Sequence, residues 1–178
     1  MRTIVSAFVC YICVTVSGFA IPTNCVAPPS GLVLWLPFDE GIGSITANLA
    51  ATGNPGILTN NPNHGAGYVR NGLCFSGNSG VYVPDYAGID IGTGDFTIDA
   101  WVSTSGAGPQ TIIIDKRNQA TGIGYALWLN NQNLVLELTD SSHAADFNDT
   151  ANFPTDGQWH LVAVTISRTS STGGAFLY

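Results

Sequence analysis

The chain has 178 residues, of which 10% are charged, against roughly 25% in an average soluble domain. Gly, Ser, Thr and Asn supply the polarity instead, and together with the β-branched content they argue against a helical bundle or a disordered tail. Five Lys and Arg against twelve Asp and Glu leave a net charge of −7, too few cations to assemble a basic patch, so nucleic acid is not expected as a partner.

Residues 1–20, "MRTIVSAFVCYICVTVSGFA", read as a cleaved signal peptide rather than as part of the fold. Arg2 supplies a minimal positive start, Ile4 to Val16 form an almost unbroken apolar run, and Gly18 and Ala20 stand at the small-residue positions of a cleavage site. That run is shorter than the ~20 residues a spanning helix needs, so no membrane span is expected after cleavage. Export leaves Cys25 and Cys74 as an even pair in a compartment where disulfides persist. A Cys25–Cys74 bridge and two unrelated thiols fit the sequence equally, because geometry decides between them. The residues before Cys25, "IPTN", lack the small residue that a lipid-modified cysteine needs.

Residues 21–30 form an extended, proline-rich lead-in. From Gly31 onward short β-like runs follow one another: "LVLWLPF", "GLCFSG", "VYVP", "DFTIDAWVS", "TIIIDK", "YALWL", "LVLELT", "WHLVAVTI" and "AFLY". Turn-rich pieces such as "TGNPG", "TNNPNHGAG" and "NNQN" separate them, and no long window shows a 3.6-residue apolar period. The pattern predicts an all-β fold, a β-sandwich or jelly roll, in one domain over residues 31–178. In "DFTIDAWVS", Phe96, Ile98, Ala100 and Val102 share a core face, while Asp95, Thr97, Asp99 and Trp101 share a polar face. "LVLELT" likewise sets Leu134, Leu136 and Leu138 against Val135, Glu137 and Thr139. "GGAFLY" reads as the start of a strand with no closing element, so the domain is expected to be incomplete at its C-terminus.

Hydrolytic chemistry finds little support. Jelly-roll glycosidases need two carboxyl groups ~5–5.5 Å or ~6.5–9.5 Å apart. Asp95 and Asp99 share a face, but four residues at ~3.3 Å each separate their backbones by ~13 Å, and Thr97 lies between them. His64, His143 and His160 are scattered singly, without zinc spacing. Calcium is the more credible ion, since Asp39 and Glu40 follow a strand-like run and Asn48 and Asn54 stand in the next loop. The same residues serve equally as Asx caps of turns. Trp35, Trp101, Trp128 and Trp159 all lie in strand patterns, where packing is the commoner role. Trp101, with Asp99 beside it on a polar face, is the candidate for ligand contact. In "DGQWHLVAVTI", Asp156 and Gly157 form a turn, Trp159 is expected to pack between the sheets, and His160 to make a structural hydrogen bond.

Taken in order, "GLVLWLPFDEGIGSITANLAATGNPGILTN", "GLCFSGNSGVYVPD", "GDFTIDAWVS", "YALWL" and "DGQWHLVAVTI…AFLY" resemble the laminin-G-like jelly-roll domains of the concanavalin A-like lectin/glucanase superfamily. The resemblance spans about residues 31–178 and implies an antiparallel two-sheet jelly-roll sandwich in a secreted or cell-surface module, usually non-catalytic, that binds a glycan or an extracellular protein. It also implies a calcium role for Asp39 in the F-D-E-G loop, Phe38 to Gly41, with Glu40 and Asn48 as further ligands. Asn48 and Ser76 replace acidic residues that the family often carries. An accessory domain of a larger carbohydrate-active enzyme and a structural spacer in a surface protein are the alternatives.

Overall fold

The computed structural model describes residues 2–5, 28–169 and 174–178, so most of the 1–20 segment read as a signal peptide and most of the 21–30 lead-in lie outside it. Arg2–Val5 is a short strand, β1. No helix among the described residues is long and apolar enough to cross a membrane. The chain divides into two compact units, one up to Gly92 and one from Thr93, a division that composition does not announce.

The first unit carries little regular structure. Ile45–Thr46 (β2), Gly56–Thr59 (β3) and Gly80–Tyr82 (β6) make a three-stranded sheet in the order β2-β3-β6. Asn63–Ala66 (β4) and Asn71–Cys74 (β5) form a separate hairpin. A single 3-10 turn, Ala87–Ile89, follows. The run "LVLWLPF", expected as a strand, joins no ladder beyond an isolated bridge at Leu32. The reason is local: the Asn48 side chain takes the Trp35 N–H, Pro37 has none to give, and Phe38 sits at a φ of 59°. Leu34 and Leu36 are nevertheless buried, so the run packs as core without being sheet.

The second unit is an antiparallel sandwich. One sheet contains Phe96–Ser103 (β7), Trp159–Ile166 (β12) and Ala175–Leu177 (β13), with β12 between the other two. The other is built from Thr111–Asp115 (β8), Gly124–Asn130 (β9), Asn133–Thr139 (β10) and Ala144–Asn152 (β11), in the order β11-β10-β9-β8. The pairings among β7 to β13 are antiparallel. The nine residues "AADFNDTAN" of β11 escaped the sequence reading because they are polar and carry no β-branched run.

Period-2 alternation decides the core. Phe96 and Ile98 of β7 and Val162, Val164 and Ile166 of β12 point inward, against Tyr125, Leu127 and Leu129 of β9 and Leu134 and Leu136 of β10. The Phe96 and Tyr125 rings meet at a centroid distance of 5.7 Å across the two sheets. The same alternation corrects the expectation for Trp159. It pairs with Ser103 and shares its face with Leu161, which is 44% exposed, so it lies opposite the buried Val162, Val164 and Ile166 and not between the sheets. Removing the Phe96 ring leaves a cavity at this fully buried contact. Phe96→Ala is therefore expected to destabilise by ~3–5 kcal/mol, read as a lowered urea midpoint.

Candidate functional site

The sequence-predicted calcium residues come close together in the first unit, but as structural acceptors. Asp39 receives Arg70 Nη1 at 3.2 Å and the Asn71 N–H at 3.3 Å, and its own carbonyl accepts from Asn71 Nδ2 at 2.8 Å. Glu40 Oε1 accepts the Thr46 hydroxyl at 3.0 Å and the Ala47 N–H at 2.7 Å. Asn48 Oδ1 accepts the N–H groups of Trp35 and Ala50, both at 3.0 Å. Its amide nitrogen reaches the Tyr86 hydroxyl at 3.5 Å, and that hydroxyl donates to the Val33 carbonyl. Burial pushes the Tyr86 phenol up from its ordinary range. A calcium ion would have to displace these N–H and hydroxyl donors and compete with the Arg70 guanidinium, so the residues as arranged do not fit one. Among the described residues no three His, Cys, Asp or Glu side chains are gathered into a metal-sized group. Cys74 is exposed and free, while Cys25 lies outside the described residues.

In the second unit Asp99 and Trp101 are half-buried on one face of β7, opposite Ala163 and Leu161 of β12. The Asp156–His160 pair belongs to the turn that opens β12. Asp156 Oδ1 accepts the Gln158 N–H at 2.9 Å and meets His160 Nε2 at 3.0 Å, and the imidazole packs edge-on against Phe153. The hydrogen bond from His160 holds the Asp156 carboxyl below the usual carboxylate range. The expected structural role of His160 is thus what the geometry shows.

A richer constellation lies on the β8–β11 sheet, on the face turned away from the Phe96–Tyr125 core. Register brings Ile112, Trp128, Val135 and Asn148 into one row across the four strands. The next row contains Asp115, Ala126, Glu137 and Asp146. Asp115 reaches that row because of a bulge in β8: the register slips between Ile112 and Ile114, so Ile114 opposes Leu127 and Asp115 opposes Ala126. Without the extra residue, alternation from Ile112 would turn Asp115 toward the core.

Arg117 ties the face together. Its Nε and Nη2 bind the two oxygens of Asp115 at 2.9 and 2.6 Å, and its Nη1 binds Glu137 Oε1 at 2.8 Å. Its guanidinium carbon lies 5.7 Å from the centroid of Trp128, close enough to hold the indole by a cation–π contact. Thr139 adds a hydroxyl donor to Glu137 Oε1 at 3.3 Å. These bonds hold the Asp115 carboxyl below its ordinary range and push the Arg117 guanidinium further above its own. The loop beyond Arg117 is fixed by Asn118, whose Oδ1 takes the N–H groups of Ala120 and Thr121. Gly124 must be glycine: its φ is 142°, and a Cβ there would lie 2.2 Å from the Lys116 carbonyl. An open depression of about 360 Å³ results, lined by Asp115, Arg117, Asn118, Gln119, Glu137 and Thr139. "LVLELT" had shown Glu137 on a mixed face, but Arg117 and Trp128 sit in separate runs and nothing in their spacing joins them.

With the fold and this face described, comparison with known families is informative. A laminin-G family model, described as concanavalin A-like lectin/glucanases superfamily, matches residues 75–178. The chain belongs to that superfamily. Comparisons with curated proteins and with solved structures found no match. The family match takes in the whole second unit, including Trp128, Arg117 and Glu137, whereas Asp39, Glu40 and Asn48 lie outside it. The calcium role expected from the F-D-E-G loop therefore gains no support from the matched region.

Two outcomes follow. Calcium added after chelator treatment is expected to leave the thermal midpoint unchanged, and an upward shift of several degrees would contradict the reading of the Asp39 loop. Because the Asp156 carboxyl titrates below its unfolded value, its pairing stabilises the fold above the ordinary carboxylate range, and that stability is lost as pH falls through the lowered value. Acidification from neutral pH to below the carboxylate range should thus destabilise the wild type more than Asp156→Asn, as seen in thermal scans across pH.

Proposed function

We propose that the second unit is a non-catalytic binding module, and that its ligand is a carbohydrate lying across Trp128 and its polar surround. The observation that carries this reading is the part-exposed indole of Trp128, pinned by Arg117 and ringed by Asp115, Glu137, Asp146 and Asn148 on one sheet face. A flat apolar ring beside fixed hydrogen-bonding groups meets the two needs of a pyranose, which has apolar C–H faces and an equatorial belt of hydroxyls. The position of the indole is fixed before any ligand arrives, which lowers the entropy cost of binding.

Glu137 and Asp146 face each other on neighbouring strands, and Glu137 is held as an acceptor by Arg117 and Thr139. That engagement favours binding over acid–base work. With the apolar leader of residues 1–20, the module reads as secreted or surface-exposed. An accessory role beside a carbohydrate-active enzyme fits the same face. A protein ligand is the second reading, favoured by a different surface: Leu161, Phe176 and Tyr178, 44%, 49% and 68% exposed, share one face of β12 and β13.

Trp128→Ala is expected to weaken binding to an immobilised panel of oligosaccharides about tenfold or more, with Trp128→Phe recovering part of it. Unchanged binding by Trp128→Ala would remove this face as the site. Release of reducing sugar from a bound oligosaccharide, lost in Glu137→Gln, would replace the non-catalytic reading with a hydrolytic one.

A further inference from the structure

The ligand class can be narrowed from how Arg117 is occupied, an inference that rests on the carbohydrate reading of this face. We propose that the face is built to take uncharged saccharides and to refuse acidic ones, with Asp115 acting as a resident stand-in for an acidic group.

Arg117 is the one cation that register and hydrogen bonding place on this face among the described residues. A guanidinium recognises a carboxylate or sulfate by offering two parallel N–H groups in a fork. Here that fork is filled from within the chain. Nε and Nη2 both point at the Asp115 carboxylate, at 2.9 and 2.6 Å, the arrangement an acidic sugar would otherwise adopt. Glu137 takes Nη1 at 2.8 Å, so all three guanidinium nitrogens are engaged by two carboxylates. The backbone N–H of Arg117 also donates to Asp115 Oδ1, at 3.0 Å, which fixes the carboxylate against the fork.

Charge points the same way. Asp115, Glu137 and Asp146 stand in one row against a single guanidinium, and Asp146 is exposed at the rim of the sheet on β11. An approaching anion meets three carboxylates set against one guanidinium that two of them already engage. A neutral sugar meets no such barrier and finds acceptors for its hydroxyls at Glu137, Asp146 and Asn148. The bulge in β8 is the device behind this selectivity, since it turns Asp115 outward beneath Arg117.

Titration calorimetry at low and physiological salt tests the proposal, with a neutral glucose hexasaccharide and a galacturonate hexasaccharide as probes. The wild type is expected to bind the neutral probe at least about tenfold more tightly than the acidic one. The double variant Asp115→Asn/Glu137→Gln, which leaves Arg117 with neutral partners, should gain about tenfold or more for the acidic probe. Asp95→Asn/Asp156→Asn removes the same charge from the turns of the β7–β12 sheet and should gain far less. Equal wild-type affinity for the two probes, or no gain in the Arg117-freeing variant, would overturn the proposal. So would an equal gain in the distant variant, which would reduce the effect to overall charge. The underlying site fails separately, by neutral binding that Trp128→Ala leaves untouched. If the wild type binds neither probe but the freed variant binds the acidic one, the stand-in role of Asp115 survives and the neutral-sugar reading does not. No binding in any of these proteins overturns both.

Discussion

The outer face of the β8–β11 sheet depends on one guanidinium. Asp115, Glu137 and Asp146 stand in a single row, and like charges on neighbouring strands repel when nothing lies between them. Arg117 spans that row from beyond the end of β8, binds Asp115 and Glu137 together and steadies Trp128 at the same time. Part-exposed ion pairs of this kind contribute little to stability by themselves. Their consequence here is geometric: they fix the directions in which two carboxylates and one indole face solvent.

That geometry is inherited from the core. The buried Phe96–Tyr125 contact and the leucines of β9 and β10 hold the sheet by its inner face, so every second residue must face outward. One extra residue in β8 then changes which side chains those are. The site follows from a packed core, a bulge, and a glycine at 124 that lets β9 start close against the Lys116 carbonyl.

The first unit solves a different problem by different means. It has few ladder hydrogen bonds, and side chains satisfy the backbone instead. Asn48 holds the N–H groups of Trp35 and Ala50, Glu40 holds that of Ala47, and Tyr86 reaches the Val33 carbonyl. Residues whose chemistry suggests metal ligation are thereby used as internal caps. Asp, Glu and Asn offer the same oxygens to a cation and to an N–H group, and composition has no means of telling the two uses apart.

Much of the fold was legible in the residues. Alternation in "DFTIDAWVS" and "LVLELT" named the buried Phe96, Ile98, Leu134 and Leu136, because a strand with one face against a core has no other register available. The turn at Asp156 and the hydrogen bond of His160 were equally readable, being contacts between residues four apart. Less accessible were β11, which has no run of β-branched or large apolar residues, and the face of Trp159, where an aromatic within an apolar strand suggested burial. The site was the least legible part. Arg117, in the loop after β8, and Glu137 are twenty residues apart with β9 between β8 and β10, and the bulge that brings Asp115 to them leaves no mark in "TIIIDK". Sequence alone determined the all-β class and most of the core, since these follow from local period and turn chemistry, and the order of its motifs carried the jelly-roll family. Tertiary structure alone decided which polar residues meet, because register and a one-residue bulge set those distances and neither is written in any single strand.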